Sequence, residues 1–427
     1  MKRVLMVAFH FPPQRGSSGI QRTLQFVRNL PALGWEPLVL SAAARAYEDT
    51  GNDQLGAIPS GTHVRRAFAL DTARHLAFGG RYLGWMALPD RWISWLFGAV
   101  PAGMAMVRSK RPEVLWSTYP IATAHLIGLV LHRLTGLPWI ADLRDPMVDT
   151  VHPVGRMKRA TALWIERQTL LHCTRAVCTT AGAARSYRTR YPDVPESRLC
   201  VIENGYDEVN FTDAGTPSSR APGAPLVLLH SGIVYPLERD PACFFEALAA
   251  LRSDGKIGPH MLRVVLRAPV MEAHVRDLIA RYTIADMVEI APPLPYREAL
   301  HEMLSADALL VLQAANCNDQ VPAKLYEYLR AARPILALTD AAGDTAATLR
   351  AAGIDSIAAL DSTASIMDAL PRFLDQIIAG QAPIAAPQVA RRYERRSQAM
   401  QLARLFDDVT QAAQGGATQP EKSAKAP

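Results

Sequence analysis

An α/β chain built from two parallel-sheet halves is what this sequence predicts, and three observations predict it. Short apolar runs of strand length alternate with helix-length amphipathic stretches through both halves. A stretch rich in Gly, Pro, Ser and Ala at 212–224, TDAGTPSSRAPGA, reads as a linker between them. In the second half a buried run, Asp307 to Gln313, passes through a polar loop into a helix with Pro322 near its first turn. Repeated βαβ units imply parallel sheets covered by helices. Each half is therefore expected to be Rossmann-like, with ligand-binding loops at the carboxyl ends of its strands, facing a shared cleft.

The elements follow in order. VLMVAF (4–9) is a strand, followed by a loop with Gly16 and Gly19 and a helix from Ile20 to Leu33. Strands are expected at 36–42, 113–118, 138–143, 175–180 and 199–205, with helices at 121–136 and 157–172. Residues 65–110 read as irregular and aromatic-rich. The second half offers strands at 225–232, 262–268, 287–292, 306–313, 334–339 and 356–360. A charged helix over 387–410 comes last, and the low-complexity tail 411–427 reads as disordered. The expected domains are 1–211, the linker 212–224, 225–386, and the final helix crossing back to the first domain.

Bulk numbers narrow the function. The 427 residues carry a net charge of +6, which suits an acidic ligand or an anionic surface but is modest for a nucleic-acid binder. The five cysteines are scattered, without zinc spacing or a disulfide framework, and a reducing cytoplasm is the simplest compartment. Met1-Lys2-Arg3 precedes only a short apolar run without a cleavage site, so no signal peptide is expected. The uncharged stretch 92–107 is short for a membrane span and contains Pro101.

The loop and helix at 316–327 concentrate the chemistry. Asn316, Asn318, Asp319 and Gln320 precede a helix start at Val321-Pro322, where unpaired N–H groups and the helix dipole suit a diphosphate. Lys324 adds charge there, and Glu327 follows on a neighbouring face, placed to grip ribose or sugar hydroxyls. An ordinary loop with a solvated Lys–Glu pair is the other reading of the same residues.

Five segments together resemble the retaining glycosyltransferases of the GT-B fold, family-four type. They are MVAFHFPPQRGSSGIQRTLQF, PWIADLRDP, VIENGYDEVNF, LLHSGIVYPLERDP and VPAKLYEYLRAARPILAL, in family order across about residues 1–410. The resemblance implies a nucleotide-sugar donor in the C-terminal domain and a glycan or lipid-linked acceptor in the N-terminal one. It implies no cofactor and no metal, with protein cations and helix dipoles neutralising the diphosphate. DLRD (142–145) does not have Asp-x-Asp spacing. It implies cell-envelope or exopolysaccharide synthesis at the cytoplasmic face.

Residue by residue, Glu327 matches the second acid of the family's Glu-x7-Glu pattern, and the first falls on Asp319, one methylene shorter. Asn318 and Gln320 are expected to share the first acid's role beside Val321. Lys324 and Arg239 are the cations expected on the diphosphate. Gly232, ending the first strand of the second half, admits close backbone approach, as Gly16 and Gly19 do in the first. Arg267 faces the nucleotide or pairs with an acid. Asp145 is a candidate for acceptor or sugar hydroxyls, whereas Arg144 stands where relatives carry His. Arg22 faces the cleft or solvent; His125 reads as packed; His10 and His230 end strands.

Region 78–111 mixes Tyr82, Trp85, Trp92, Trp95 and Phe97 with Arg81, Arg91 and Arg108. Peripheral membrane contact is one expectation and a helical lid the other. No nucleic-acid motif accompanies the aromatics. Two further functions stay open: a non-catalytic nucleotide-sugar-binding or scaffold subunit, and a nucleotide-sugar epimerase on the same fold. A dinucleotide dehydrogenase fits worse, because 16–19 lacks the full Gly-x-Gly-x-x-Gly fingerprint.

Overall fold

A computed structural model of the chain describes residues 1–16, 19–148, 155–216, 218 and 220–416. It divides into two compact units: residues 1–203 with the C-terminal segment from Arg395, and residues 204–394.

The first unit holds seven parallel strands: β1 (Lys2–Val7), β2 (Trp35–Ala42), β3 (His63–Ala67), β4 (Val114–Thr118), β5 (Trp139–Arg144), β6 (Arg175–Cys178) and β7 (Leu199–Val201). Their order is β3-β2-β1-β4-β5-β6-β7, so the winding reverses between β1 and β4. The pleat sends Leu5 and Val7 into one core and Val4 and Met6 into the other. The second core is closed by the C-terminal helix through Ala399, Leu402 and Phe406. Burying Phe406 completely is worth roughly 1.5–3 kcal/mol. Lys2 and the Trp35 indole pin that helix through Asp407, at 2.7 and 3.2 Å.

The region read as irregular, 65–110, contains the end of β3 and a helix, Trp95–Lys110. Both were hidden for physical reasons. β3 is a charged edge strand, HVRRA, without an apolar run. The helix carries Gly98, Pro101 and Gly103, which read as breakers. Gly98 is needed because a Cβ there would strike the Phe68 backbone, and Gly103 because one would lie 2.8 Å from Leu131.

The second unit holds β8 (Leu226–Ser231), β9 (Leu262–Arg267), β10 (Val288–Ala291), β11 (Ala308–Leu312), β12 (Ile335–Leu338) and β13 (Ile357–Ala358). Their order, β10-β9-β8-β11-β12-β13, reverses between β8 and β11. The stretch read as a linker lies within this unit. Its described residues lean on the helix Tyr296–Ser305 and on Asp307: His301 meets the Ala214 carbonyl at 3.0 Å, Ser218 N–H donates to Ser305 Oγ at 3.0 Å, and Arg220 pairs with Asp307 at 3.2 Å. The unit boundary instead falls between Glu203 and Asn204.

The helix expected over 387–410 is broken. Pro387–Ala390 and a 3-10 turn at Arg391–Tyr393 precede the long helix Arg395–Gly416. The Tyr206 N–H donates to the Tyr393 carbonyl at 3.0 Å, which takes that stretch out of a helical ladder. The tail expectation for 411–427 meets helix as far as Gly416, and its remainder lies outside the described residues. Among the described residues no helix is long and apolar enough to cross a membrane.

Candidate functional site

In the second unit the reversal between β8 and β11 brings two loops together. β8 ends at Ser231 and turns through Gly232, whose φ of +131° is a glycine conformation. A methyl group there would overlap the Lys324 ammonium, so a missing side chain makes the room that Lys324 occupies. Lys324 leaves the first turn of the helix Ala323–Ala331 that follows the β11 loop. The Tyr328 hydroxyl, one turn on, accepts from the Ser231 N–H at 3.0 Å and locks helix to strand end.

Lys324 is partly buried, and its pKa is lowered to about 7. Burial is the main cause and the Arg239 charge the second, with Glu327 opposing. Arg239 stands over the Tyr235 ring and donates to the Ile233 carbonyl at 3.1 Å. Two cations held together without a full counter-charge favour an anion. His230, buried at the end of β8, has its pKa lowered to about 3 by burial and then by Lys324, and serves as a neutral packed ring. Glu327 accepts from the Tyr296 hydroxyl at 2.7 Å, which aims its carboxylate.

The β11 loop is held from behind. Asn318 Nδ2 donates to Asp340 at 2.6 Å, and its backbone carbonyl accepts from the Asp344 N–H at 2.8 Å. The Gln320 carbonyl accepts from Gln313 at 2.9 Å and from Thr345 at 3.2 Å. Asp319 sits between these fixed residues, and Val321 packs on the core below. Gly232, Arg239, Asn318, Asp319, Gln320, Val321, Lys324 and Glu327 thus all belong to the loops and helix start at the β8–β11 reversal. Arg267 touches them only through its backbone carbonyl, which accepts from the Gly232 N–H at 2.8 Å; its side chain is held by Glu302 through two nitrogens, one at 2.9 Å, and by the Pro292 carbonyl at 2.6 Å. Its chemistry is that of the second reading, a pair with an acid.

The first unit has a polar centre at its own reversal. Arg22 is buried rather than facing solvent. It grips Asp142 at 2.9 and 3.0 Å and donates to the Glu203 and Ile202 carbonyls, both at 2.9 Å. Thr118 donates to the same carboxylate at 2.9 Å. Arg144 is buried with φ of +56°, where β5 slips register against β6, and donates to the Gly19 carbonyl at 3.2 Å. A left-handed non-glycine residue at a strand end marks a site where backbone strain is held by its surroundings. His10 has its pKa lowered to about 4 by burial and then by the Arg144 charge. Asp145 is exposed at the next position, Gly16 is exposed with φ of +74°, and Gly19 opens the helix Gly19–Asn29. His125, packed within its helix, meets Ser117 at 2.8 Å.

The Arg22–Asp142 clamp, the Tyr328 lock and the Asp340 tether escaped sequence reasoning. Each joins residues far apart in the chain, and none carries a local pattern.

Residues 18–205 match the family model for the glycosyl transferase 4-like domain, nearly the whole sequence-continuous part of the first unit. No curated protein matches the chain in sequence. Solved structures match in fold across both units. A sucrose-phosphate synthase from Thermosynechococcus elongatus superposes with a TM-score of 0.68 at 14% identity, over 96% of this chain and 100% of that one. HepE from Anabaena, in complex with UDP-glucose, gives 0.60 at 13% identity over 96% and 100%. WaaG, a glycosyltransferase involved in lipopolysaccharide biosynthesis, gives 0.59 at 14% identity over 95% and 99%. The chain is therefore a GT-B-fold protein. Within its first unit, residues 18–205 are similar to the glycosyl transferase 4-like domain.

Proposed function

We propose that this protein is a retaining glycosyltransferase. It moves a sugar from a nucleoside-diphosphate sugar to an acceptor hydroxyl on a glycan or lipid-linked glycan, in cell-envelope or exopolysaccharide synthesis at the cytoplasmic face. The single observation that carries this reading is Lys324, packed over the bare Gly232 beside Arg239 at the β8–β11 reversal. The ammonium and guanidinium take the diphosphate, and Glu327, aimed by Tyr296, takes ribose hydroxyls. Asp319, with Asn318, Gln320 and the helix start at Val321, takes the sugar and phosphate side. The charge that develops on the leaving diphosphate is met by these fixed cations, without a metal. The acceptor hydroxyl attacks from the face the diphosphate leaves, with Gly16, Gly19 and Asp145 on the acceptor side. The HepE complex with UDP-glucose supports the donor class, and the five family-like segments support retention.

The proton balance tests the site. A folded lysine with a pKa near 7 is only half charged at neutral pH. An anion bound to it restores the charge and raises that pKa. Nucleoside-diphosphate binding is therefore expected to take up a proton near pH 8, and affinity to fall as pH rises above 7 until the raised pKa of the complex is passed. About tenfold is lost per unit across that window. Calorimetric titration in two buffers of different ionisation enthalpy reads the uptake directly. Heats that do not depend on the buffer contradict Lys324 as a phosphate contact.

Region 78–111 supports a peripheral membrane role in part. Trp95 belongs to the core and Trp92 packs against it, their rings meeting Phe9 edge-on at 5.6 Å and tilted at 4.8 Å, as a lid would. Phe78 and Trp85 are 94% and 63% exposed, and Trp85 lines a cavity of about 800 Å³ with Arg91, Arg156 and Lys158. Exposed aromatics among cations suit an anionic bilayer. The protein is expected to co-sediment with vesicles containing phosphatidylglycerol and not with phosphatidylcholine alone, and the double variant Phe78→Ser, Trp85→Ser to lose most of that binding. Equal sedimentation of variant and wild type counts against the membrane role.

A further inference from the structure

A cavity of about 450 Å³ in the second unit, at the carboxyl ends of β11, β12 and β13, is not used by the reading above. Neither Gly232, Arg239, Lys324 nor Glu327 lines it. Its polar walls come from Asp240, Asp340, Asp361 and Gln313, with Cys243 and Leu360 among the rest, and no lysine, arginine or histidine is among the lining residues. The volume is in the range of small-molecule sites.

Gln313 supplies the telling detail. The residue is 3% exposed, and its Nε2 donates to the Cys317 and Gln320 carbonyls, both at 2.9 Å. Carbonyls only accept, so the amide orientation is fixed. The Oε1 atom that remains is buried and has no partner among the described residues. A buried amide oxygen in that state calls for a donor.

The carboxylates add charge to that demand. The Ala342 N–H at 3.0 Å and Asn318 at 2.6 Å bond to Asp340 and hold its pKa below the usual range. Asp240 caps Ala242 at 3.1 Å and faces His274 at 3.2 Å; Asp361 is exposed at the rim. Among the described residues no three acidic, His or Cys side chains are grouped to hold a metal ion. A compact ion fits poorly, whereas an organic cation with several spread donors fits.

We propose that this cavity binds a small organic ammonium ion carrying further O–H or N–H donors, such as an amino sugar or a short polyamine. The ammonium sits among the carboxylates, and a donor reaches Gln313 Oε1. Gln313 and Asp340 also hold the loop bearing Asn318 and Gln320, so occupancy stiffens that loop. That coupling rests on the donor-site reading, and the binding itself does not.

Calorimetric titration of the full chain with glucosamine, spermidine and neutral glucose, at constant ionic strength, tests the proposal. One amine is expected to saturate at one site, identifying the class, with glucose at least about tenfold weaker. Asp361→Asn and Asp240→Asn are each expected to weaken the amine by about tenfold. Thermal melts of each variant separate lost binding from lost folding, and Asp361, exposed at the rim, is the variant that tests the site if Asp240→Asn unfolds. No saturable binding of either amine, glucose binding as tightly, or binding unchanged in Asp361→Asn overturns the proposal. UDP titrated into the same preparations keeps the two readings apart: amine binding without UDP binding sinks the donor reading alone.

Discussion

Lys324→Ala is expected to lower kcat/KM for the nucleotide sugar by about 10²–10³-fold while leaving the melting temperature unchanged or higher. The rate loss follows from position. The ammonium lies where the backbone is stripped to Gly232, with Arg239 as the other nearby cation, so its removal leaves the developing diphosphate charge half met. The stability outcome follows from the sign of the pKa shift. The folded pKa, about 7, lies below the unfolded value of 10.5, so the unfolded chain binds the proton more tightly. This lysine therefore destabilises the fold at low pH, and the penalty fades as pH rises from 7 towards 10.5. Removing it relieves that penalty, the pattern of a residue kept for function. Lys324→Arg is not a rescue, because a planar fork does not fit over Gly232 as a compact ammonium does. A Lys324→Ala enzyme that melts several degrees lower with its rate intact contradicts this account.

Asp142→Ala is expected to cost about 3–5 kcal/mol of stability in urea unfolding. Arg22 has a side chain 4% exposed, and Asp142, itself buried, pairs with it through both carboxylate oxygens in the first unit's polar centre. The Glu203 and Ile202 carbonyls keep two of its bonds, but carbonyls do not neutralise it. Thr118 loses its carboxylate partner as well. A loss below about 1 kcal/mol shows that water reaches the guanidinium and that the centre is open.

Most strands and the helix after β11 were readable because their signals are local. Apolar runs give β1, β4, β8 and β11, and the Pro322 helix start with Lys324 and Glu327 is a contiguous pattern. What escaped is what distance in the chain conceals. β3 carries its charge at an edge, and the helix Trp95–Lys110 uses glycines for close packing that composition reads as breaks. The division after Glu203 and the break at Tyr393 meet through one backbone bond to Tyr206, which no composition shift announces. Arg267 sits at a strand end, as a ligand residue would, yet Glu302 from another element claims it. Arg22 follows the glycine loop by a few residues, but only the fold delivers Asp142 beneath it.

The most direct test of the central claim is calorimetric binding of UDP, GDP, ADP and TDP to the full chain, with and without magnesium. One of them is predicted to bind tightly in the absence of magnesium and to lose at least about tenfold in affinity in Glu327→Ala. A folded wild-type protein that binds none of the four contradicts the donor site and, with it, the transferase reading.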